Sequence, residues 1–392
     1  MNKPLRIFLI AGESSGDFLG AALMRALKVQ HPDIEFTGVG GSRMIEAGLD
    51  SLFRMEDLSV MGFAEVLPKL FLILSRIKVT VSKILKTKPD AVITIDSPDF
   101  CFRVIKKVKA GGGKSIPCIH YVAPSVWAWR PGRAKKVAQF LDHILTLLPF
   151  EPPYFEKHGL SATFIGHPIV ERLSHRGDSA RFRRKYDIKD SQKILCVLPG
   201  SRMSELSRLL GKFSDAVDIL LRSRPDILVV IPTLPHLKEY IHKFFVGKGI
   251  NPLVIDQEED KFDCFAASAA ALAASGTVSL ELALTDTPHI IAYRVSAFSA
   301  WLARRLIKTP YANLVNILLG RPLVPELLQE ECQPVKMTQE LCKLLDNKEV
   351  RAEQLRGFRE ALIRIGLGDP EKPSQKAAEA VLSVIKKTGG AT

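Results

Sequence analysis

The chain has 392 residues, 46% of them hydrophobic and 25% charged, which is ordinary for a globular protein and long enough for two domains. Its net charge of +13 favours anionic partners, such as lipid headgroups or phosphorylated ligands. No zinc-finger, leucine-zipper or aromatic RNA-binding motif accompanies this charge, so nucleic acid is not an expected partner. The six cysteines form no C-x-x-C pair, which argues against a disulfide or zinc framework and indicates reduced thiols in a cytosolic protein.

The first predicted unit is a strand, a glycine turn and a helix. The apolar strand Arg6–Ala11 runs into the turn 12–17, GESSGD, and a helical pattern follows. Glu13 in this turn is a candidate general base. A second short strand, 36–41, also ends in a glycine turn. Neither turn has the G-x-G-x-x-G pattern of dinucleotide-binding proteins. Because the chain enters its first strand directly, no signal peptide is expected.

Segment 60–74, VMGFAEVLPKLFLIL, is the most apolar surface-type segment and predicts a helix that is broken or kinked at Pro68. It is too short to span a bilayer, and basic residues follow it. This combination favours a helix that lies in a membrane interface, although a core helix with a solvated basic face has the same pattern. The residues predicted to contact the membrane or acyl chains are Phe63, Val66, Leu67, Leu70, Phe71 and Leu74.

Two further turns of the first domain carry polar or aromatic residues. The buried strand Ala91–Ile95 leads into the turn 96–100, DSPDF. Asp99 in this turn is either a helix N-cap or the general base of a reaction. The loop after the next strand holds Trp127 and Trp129, whose rings could pack the loop, line a sugar or acyl-chain pocket, or lie in a membrane interface.

The second half of the chain repeats the opening pattern. A polar, highly charged stretch, 170–190, is predicted to link the first domain to a second. The strand 193–198 follows and ends in a turn that contains Gly200, Ser201 and Arg202. An arginine at a glycine turn beside a helix N-terminus can grip a diphosphate with two parallel hydrogen bonds.

The stretch 270–284 predicts a buried strand, a turn and a helix N-terminus, where unpaired N–H groups suit a phosphate. Ser275 and Gly276 form the turn, and Thr277 is the expected N-cap. A capping box would place its acid three residues after the cap, so Glu281, four residues after it, is free to accept hydroxyl groups of a ribose. The alternative is an ordinary turn followed by a solvated glutamate.

Strands alternate with helices twice along the chain, which predicts an α/β protein with two doubly wound, Rossmann-like domains that face a cleft. The remainder, from about residue 325, is predicted to be helical. The predicted boundaries are 1–169 for the first domain, 170–190 for the linker, 191–325 for the second domain and 326–392 for the C-terminal helices.

The motifs limit the chemistry that is expected. The sequence contains no H-E-x-x-H, G-x-S-x-G or D-x-D motif and no Cys/His metal-ligand spacing. A metal-free transferase must stabilise a diphosphate leaving group by other means, which Arg202 and the helix N-terminus at Gly276 and Thr277 could supply. The acceptor hydroxyl then needs a base across the cleft, for which Asp99 and Glu13 are the candidates.

Eight motifs in the chain resemble the lipid-A-disaccharide synthase family, in that family's order and over nearly the whole chain. The most specific are DSPDF and the aromatic loop HYVAPSVWAW. The motifs occupy residues 12–17, 38–44, 61–66, 96–100, 120–129, 198–202, 275–281 and 316–326.

The resemblance implies a GT-B fold and an inverting transfer without a metal or other cofactor. The implied donor is UDP-2,3-diacylglucosamine, the acceptor is 2,3-diacylglucosamine 1-phosphate (lipid X), and the products are the β-1,6-linked lipid A disaccharide 1-phosphate and UDP. By position, the resemblance implies that Asp99 is the base and that Arg202, Glu281 and Asn316 bind the nucleotide. Val315 departs from the family, which usually has a proline before the asparagine.

The resemblance also implies a cytoplasmic protein that is peripheral to the inner face of the inner membrane, with the first domain towards the acceptor and the membrane. The oligomeric state stays open between a monomer and a homodimer. The same fold serves UDP-N-acetylglucosamine epimerases and polyprenol-linked transferases. A membrane-surface binder of lipid or nucleotide, with the acids as helix caps, is the non-enzymatic alternative.

Overall fold

The computed structural model of the chain divides into two compact units. Unit 1 contains residues 1–168 and 368–392, and unit 2 contains residues 169–367. The residues that the structure describes are 4–58, 66–274, 276, 278–296, 300–301, 305–307 and 309–389.

Unit 1 is built on a parallel sheet in which the described residues form seven strands, in the order β3-β2-β1-β4-β5-β6-β7. The order reverses direction between β1 and β4, as in doubly wound folds. The strands are β1 (Arg6–Ala11), β2 (Glu35–Val39), β3 (Leu49–Ser51), β4 (Ala91–Ile95), β5 (Cys118–Tyr121), β6 (His143–Thr146) and β7 (Ser161–Phe164).

Unit 2 has a second parallel sheet, in which the described residues form six strands in the order β10-β9-β8-β11-β12-β13. Its order again changes direction beside the first strand of the unit, between β8 and β11. The strands are β8 (Ile194–Leu198), β9 (Leu228–Pro232), β10 (Leu253–Ile255), β11 (Ala270–Ala273), β12 (His289–Tyr293) and β13 (Glu326–Leu328).

Helices connect these strands in both units. Within the described residues, none of them is both long and apolar enough to cross a lipid bilayer. The helices are α1 (Ser14–Gln30), α2 (Ser42–Glu46), α3 (Val66–Thr87), α4 (Pro98–Ala110), α5 (Gly132–Val137), α6 (Pro152–Glu156), α7 (Ser179–Lys185), α8 (Met203–Ser223), α9 (Lys238–Val246), α10 (Glu258–Ala267), α11 (Val278–Leu284), α12 (Leu314–Leu319), α13 (Pro334–Asp346), α14 (Lys348–Arg364) and α15 (Pro373–Gly389).

Strand β1 shows why the sheet of unit 1 forms from an unbroken apolar run. Successive side chains of a strand point to opposite faces, and both faces of a parallel sheet are covered by helices. Ile7 and Leu9 lie in the core on one face, together with residues of α1. Phe8 and Ile10 lie in the core on the other face, with residues of α3 and α4. The carboxyl ends of the strands are thereby left to the connecting turns.

The segment 326–392, expected to be a C-terminal helical region, is divided between the units. Its first residues form the edge strand β13, and α13 and α14 belong to unit 2. Helix α15 instead belongs to unit 1 and packs against α1. The cause is its apolar stripe, since Ala377 and Val381 are fully buried in the same core as Leu23 of α1.

The predicted linker, 170–190, is part of unit 2 and is ordered around α7. Two ion pairs hold α7 on α10: Arg181 Nε lies 2.5 Å from Asp263 Oδ2, and Lys185 Nζ lies 2.7 Å from Asp260 Oδ1. The charge of this stretch therefore serves packing within one unit. Its polar composition alone gave no sign of these partners, which are about eighty positions away along the chain.

Candidate active site

In unit 1, the turns after β1 and β4 touch at the carboxyl edge of the sheet. A Cβ atom at Gly12 would lie 2.6 Å from Ser97 Oγ, so only glycine fits there. Ser15 Oγ donates a hydrogen bond to Asp96 Oδ2 across 3.0 Å. The turns 12–17 and 96–100, which the sequence singled out separately, are thus neighbours, as Rossmann-like topology requires of adjacent central strands.

Asp99 stands in the first turn of α4 with its carboxylate turned to solvent. Its side chain is 98% exposed, and its Oδ1 lies 3.8 Å from Arg133 Nη2. The N-cap position belongs to Ser97, which is in the left-handed region with a φ of 41° and makes no side-chain cap bond. The alternative of Asp99 as an N-cap is therefore wrong, and its carboxylate is accessible to a ligand.

Glu13 occupies the N-cap position of α1 but caps the helix only through its backbone. Its carbonyl oxygen accepts from the Asp17 N–H at 2.9 Å, and its side chain makes no cap bond. The residue is exposed. Unit 1 therefore presents two exposed carboxylates, Glu13 and Asp99, in two touching turns.

Asp17, the last residue of the GESSGD motif, has a structural role that the sequence analysis did not assign. Its buried carboxylate accepts hydrogen bonds from the N–H groups of Gly41, Arg43 and Met44, at 2.8, 3.1 and 3.0 Å. It thus supplies the N-terminal acceptor that helix α2 lacks in its own sequence. The first two glycine turns of the chain are fixed to each other by one side chain.

The two tryptophans of the aromatic loop differ in environment. Trp127 is edge-on to Phe150, with 5.2 Å between ring centroids, and donates its indole N–H to Glu151 Oε1. Trp129 is 39% exposed, and the guanidinium of Arg130 lies 4.3 Å from its ring centroid. Trp127 packs the loop down, whereas Trp129 leaves an aromatic surface open beside a positive charge.

Several residues with a strained backbone lie at the carboxyl edge of the sheet of unit 1. Asp96, Ser97, Val122 and Arg130 all have a positive φ, between 41° and 79°. Such angles cost free energy for residues with a Cβ, most of all for a β-branched valine. All four lie in turns that follow β4 or β5, where strained backbone commonly accompanies a binding or catalytic site.

The apolar segment behaves as the start of a long helix. Helix α3 begins at Val66 and continues unbroken to Thr87, so the predicted break at Pro68 is wrong. A proline in the first turn removes no intrahelical hydrogen bond, because N–H groups there have no helical partner. Further along, Ile77 and Ile84 are buried, so α3 also packs on the core.

One face of α3 stays uncovered within unit 1. Leu70 is 41% exposed, Phe71 is 72% exposed and Leu74 is 45% exposed. Phe63 lies outside the described residues, as do the side chains of Val66 and Leu67, so their predicted contacts stay predictions.

In unit 2, the turn after β8 leaves the Arg202 side chain available. Glu205 Oε2 accepts from the N–H groups of Ser201 and Arg202, at 3.1 and 3.3 Å. Gly200 has a φ of 120°, and a Cβ there would lie 2.6 Å from the same carboxylate. Ser201 and Arg202 are exposed, and Arg202 makes no ion pair within the described residues. Glu205, which the sequence analysis missed, is identifiable as the acid three residues after the N-cap.

The turn after β11 contains Gly276, whose φ of 149° lies in the region that favours glycine. Ser279 Oγ donates to the Gly276 carbonyl oxygen at 3.1 Å. Ser275 and Thr277 lie outside the described residues, so the capping role of Thr277 stays a prediction.

Glu281, in α11, is neither solvated nor bound to its own backbone. Its side chain is 17% exposed, and its Oε2 lies 2.5 Å from Lys261 Nζ, in α10. The alternative of a solvated glutamate is therefore wrong. Lys261 was missed because its partner is twenty positions away, and a single lysine in the acidic stretch EEDKFD carries no pattern of its own.

Asn316 is buried, and its amide is saturated by its own unit. Its Nδ2 donates to the Val324 carbonyl oxygen and to Glu326 Oε1, both at 2.8 Å, and its Oδ1 accepts from the N–H groups of Leu323 and Val324. An amide has two donors and two acceptor positions, so none is left for a ligand. The geometry does not support the predicted nucleotide contact and indicates that Asn316 shapes the loop 320–326.

Two parallel-sheet α/β units, each with glycine turns and charged side chains at the carboxyl ends of its strands, define a GT-B-like fold. Residues 7–379 match the family model described as lipid-A-disaccharide synthetase. A lipid-A-disaccharide synthase from Rhodospirillum centenum is 53% identical over 386 residues, covering 98% of this chain and 96% of the relative. The chain belongs to the lipid-A-disaccharide synthase family.

Solved structures share the fold at low identity. A UDP-N-acetylglucosamine 2-epimerase from Neisseria meningitidis, bound to UDP-N-acetylglucosamine, is 13% identical with a TM-score of 0.65, covering 97% of this chain and 99% of that chain. A glycosyltransferase from Rickettsia africae is 11% identical with a TM-score of 0.60, covering 100% of both chains. The predicted fold is confirmed.

Membership of the family also confirms the predicted activity. The chain is a glycosyltransferase of lipid A biosynthesis that condenses UDP-2,3-diacylglucosamine with lipid X, releasing UDP. The epimerase, polyprenol-linked transferase and non-enzymatic binder alternatives are set aside by this result.

Proposed function

We propose that unit 1 binds lipid X and that Asp99 is the general base of the transfer. The observation that carries this proposal is the 98% exposed Asp99 carboxylate at the start of α4, where Ser97 already fills the cap position. Asp99 accepts the proton of the acceptor's 6-hydroxyl as that oxygen attacks the anomeric carbon of the donor. The glycosidic bond forms as the bond to UDP breaks, with inversion. Glu13 is the second candidate base, since its carboxylate is exposed in the touching turn.

Unit 2 holds the donor in this proposal. The Arg202 guanidinium and the N-terminus of α8 take up the charge that develops on the departing UDP. Exposed Ser201 and the left-handed Gly276 let the backbone approach the diphosphate. Glu281, whose Oε2 pairs with Lys261, accepts hydrogen bonds from the ribose hydroxyls through Oε1. UDP-sugar binding by a structural neighbour with the same fold supports this assignment.

The transfer proceeds without a metal ion, because arginine and backbone N–H groups supply the positive charge that the leaving group needs. Within the described residues, no cluster of three His, Cys, Asp or Glu side chains could hold a metal ion. A chelator is expected to leave the rate unchanged.

The exposed face of α3 contacts the acyl chains of lipid X or the membrane in which they reside. The support is a row of three exposed apolar side chains, Leu70, Phe71 and Leu74, in a chain of net charge +13. Apolar area combined with basic charge favours an anionic bilayer surface. We therefore place the protein at the cytoplasmic face of the inner membrane, as a peripheral protein.

The test compares D99N with D33N, with UDP release and disaccharide formation measured from UDP-2,3-diacylglucosamine and lipid X, with and without a chelator. Asp33 is an exposed acid in the turn before β2. It lies at the amino ends of the strands of the same sheet, whereas Asp99 lies at their carboxyl ends. D99N is expected to lower kcat by about a hundredfold or more while D33N keeps it. Near-normal turnover by D99N would overturn the assignment of the base, and loss of activity on chelation would overturn the metal-free transfer.

A further inference from the structure

The ion pair between Lys261 and Glu281 divides the Glu281 carboxylate into two unlike oxygens. Oε2 lies 2.5 Å from Lys261 Nζ, whereas Oε1 accepts no hydrogen bond within the described residues. Both side chains are largely buried, with 30% of Lys261 and 17% of Glu281 exposed. In this largely buried setting the single cation orients the carboxylate, because fewer water molecules compete with the cation for the carboxylate oxygens.

The lysine itself is held in place by aromatic rings. Its Nζ lies 5.7 Å from the ring centroid of Phe262 and 5.6 Å from that of Phe265. Both rings are buried in unit 2, so they give the Lys261 stem a fixed wall.

The helix that carries Lys261 is fixed in rotation by α7. Asp260 accepts from Lys185 Nζ and from the Tyr186 hydroxyl at 2.7 and 2.6 Å, and Asp263 pairs with Arg181. Positions 260 and 263 lie about 60° apart around a helix, whereas position 261 lies about 100° or more from either. Clamping the two aspartates on α7 therefore leaves Lys261 on a separate face, directed at Glu281.

We propose that Lys261 is a positioning residue for ribose recognition: it holds Glu281 so that Oε1 accepts hydrogen bonds from the hydroxyl groups of the donor's ribose, the 2′-hydroxyl included. This inference rests on the proposed donor site in unit 2. Without the lysine, the glutamate side chain has other rotamers and no fixed partner, so the ribose meets an acceptor in the right place only part of the time. The pair thereby makes the site selective for a ribonucleotide over a deoxyribonucleotide.

The experiment measures the affinity of the full chain for UDP and for 2′-deoxy-UDP by calorimetry. The proteins are the wild type, E281Q, K261M and a control, K248M. Methionine keeps an apolar stem against the rings but removes the charge. Lys248 is a matched control, because it forms an ordinary lysine–aspartate pair in the same unit, with Nζ 3.3 Å from Asp215 Oδ1.

The wild type is expected to prefer UDP over 2′-deoxy-UDP by about tenfold or more, the value of one hydrogen bond to a charged group. K261M is expected to lose most of that preference: its affinity for UDP falls about tenfold and its affinity for 2′-deoxy-UDP changes by no more than about twofold. E281Q is expected to lose the preference for UDP over 2′-deoxy-UDP to the same extent. K248M is expected to match the wild type in its affinity for both nucleotides. K261Q gives the same readout should K261M fail to fold.

The outcomes separate this inference from the proposed donor site. Equal affinity of the wild type for both nucleotides would overturn the ribose contact of Glu281 and with it the inference. If E281Q loses the preference but K261M and K261Q keep it, Glu281 binds ribose and Lys261 does not position it. Equal weakening of both nucleotides in K261M would likewise overturn the inference, since the lysine would then act on the diphosphate or the fold.

Discussion

Trp127 donates its indole N–H to Glu151 Oε1 across 3.0 Å and so ties the loop after β5 to the turn after β6. The other oxygen of Glu151 accepts from the N–H groups of Leu147 and Leu148, both at 3.0 Å. One buried carboxylate thus holds three donors from two neighbouring turns at the carboxyl edge of unit 1. The exposed Trp129 is carried by the loop that this carboxylate anchors.

The burial of Glu151 makes the stability of the protein depend on pH. Burial raises the pKa of Glu151 from 4.5 to about 7, against the opposing effect of its hydrogen bonds. Between these values the folded state keeps a proton that the unfolded state has released. The contribution of Glu151 to the free energy of unfolding therefore falls as the pH rises from 4.5 to about 7. The total fall is at most about 3 kcal/mol, and the contribution is constant at higher pH.

The measurement is urea unfolding of the wild type and E151Q at a series of pH values from 5 to 8. The difference between the two proteins isolates this group from the buried histidines, because burial lowers the pKa of each of them and so also makes the stability depend on pH. The wild type is expected to lose stability relative to E151Q as the pH rises, and E156Q, which alters an exposed glutamate of α6, is expected to follow the wild type. Parallel curves for the wild type and E151Q would contradict the prediction.

Replacing Asn316 with aspartate separates a structural role from a nucleotide contact. N316D removes two donors and places a carboxylate oxygen against the Val324 carbonyl and the Glu326 carboxylate. The free energy of unfolding is expected to fall by about 2–4 kcal/mol, because the buried groups lose their partners. Urea unfolding measures this loss, and the affinity of the still-folded variant for UDP is expected to change by no more than about twofold.

A matched control for this variant is N251D, at an exposed position of the same unit, which is expected to be neutral in both measurements. Loss of UDP binding by N316D with no loss of stability would show that the amide touches the nucleotide after all.

The exposed face of α3 predicts a selective effect on membrane binding. F71S combined with L74S removes two exposed apolar side chains, so it is expected to weaken binding to vesicles of anionic phospholipid by about tenfold or more. Thermal unfolding of the variant in the absence of lipid is expected to match the wild type, since neither side chain is in the core. Co-sedimentation with vesicles is the measurement.

Val29 provides the control for this prediction, because it is 83% exposed in α1 of the same unit and lies outside the apolar face of α3. V29S is expected to bind vesicles as the wild type does. An equal effect of V29S, or none from the double variant, would count against a membrane-facing role for α3.

The fold was predictable where the local sequence is decisive. The strand Ala91–Ile95 is apolar except for Thr94 and buried along its whole length, and the structure places it at the residues predicted. Leu49–Ser51 and Glu326–Leu328 were not predicted, because each is a three-residue edge strand whose polar residues need no burial. Such strands are specified by their neighbours in the sheet.

The residues of the candidate site likewise fall into those that the local sequence predicts and those that only the fold brings together. Asp99 and Arg202 were identifiable because each follows a buried strand and a turn, and the structure leaves both side chains exposed. The partners of Glu281 and Asn316 were not, since Lys261 and the loop 323–326 meet these residues only in the folded unit. Whether a polar side chain has spare hydrogen-bonding capacity is a property of the fold and cannot be read from its place in a motif.

The return of α15 to unit 1 sets the order in which the chain can fold during synthesis. Unit 2 is one continuous stretch, 169–367, and can complete its core as soon as that stretch has left the ribosome. Unit 1 cannot complete its core until α15 has been synthesised, because Ala377 and Val381 of α15 pack in the core formed with α1. Unit 1 thus stays unfinished until α15 is made, and a chain terminated before α15 carries an uncovered apolar face on α1.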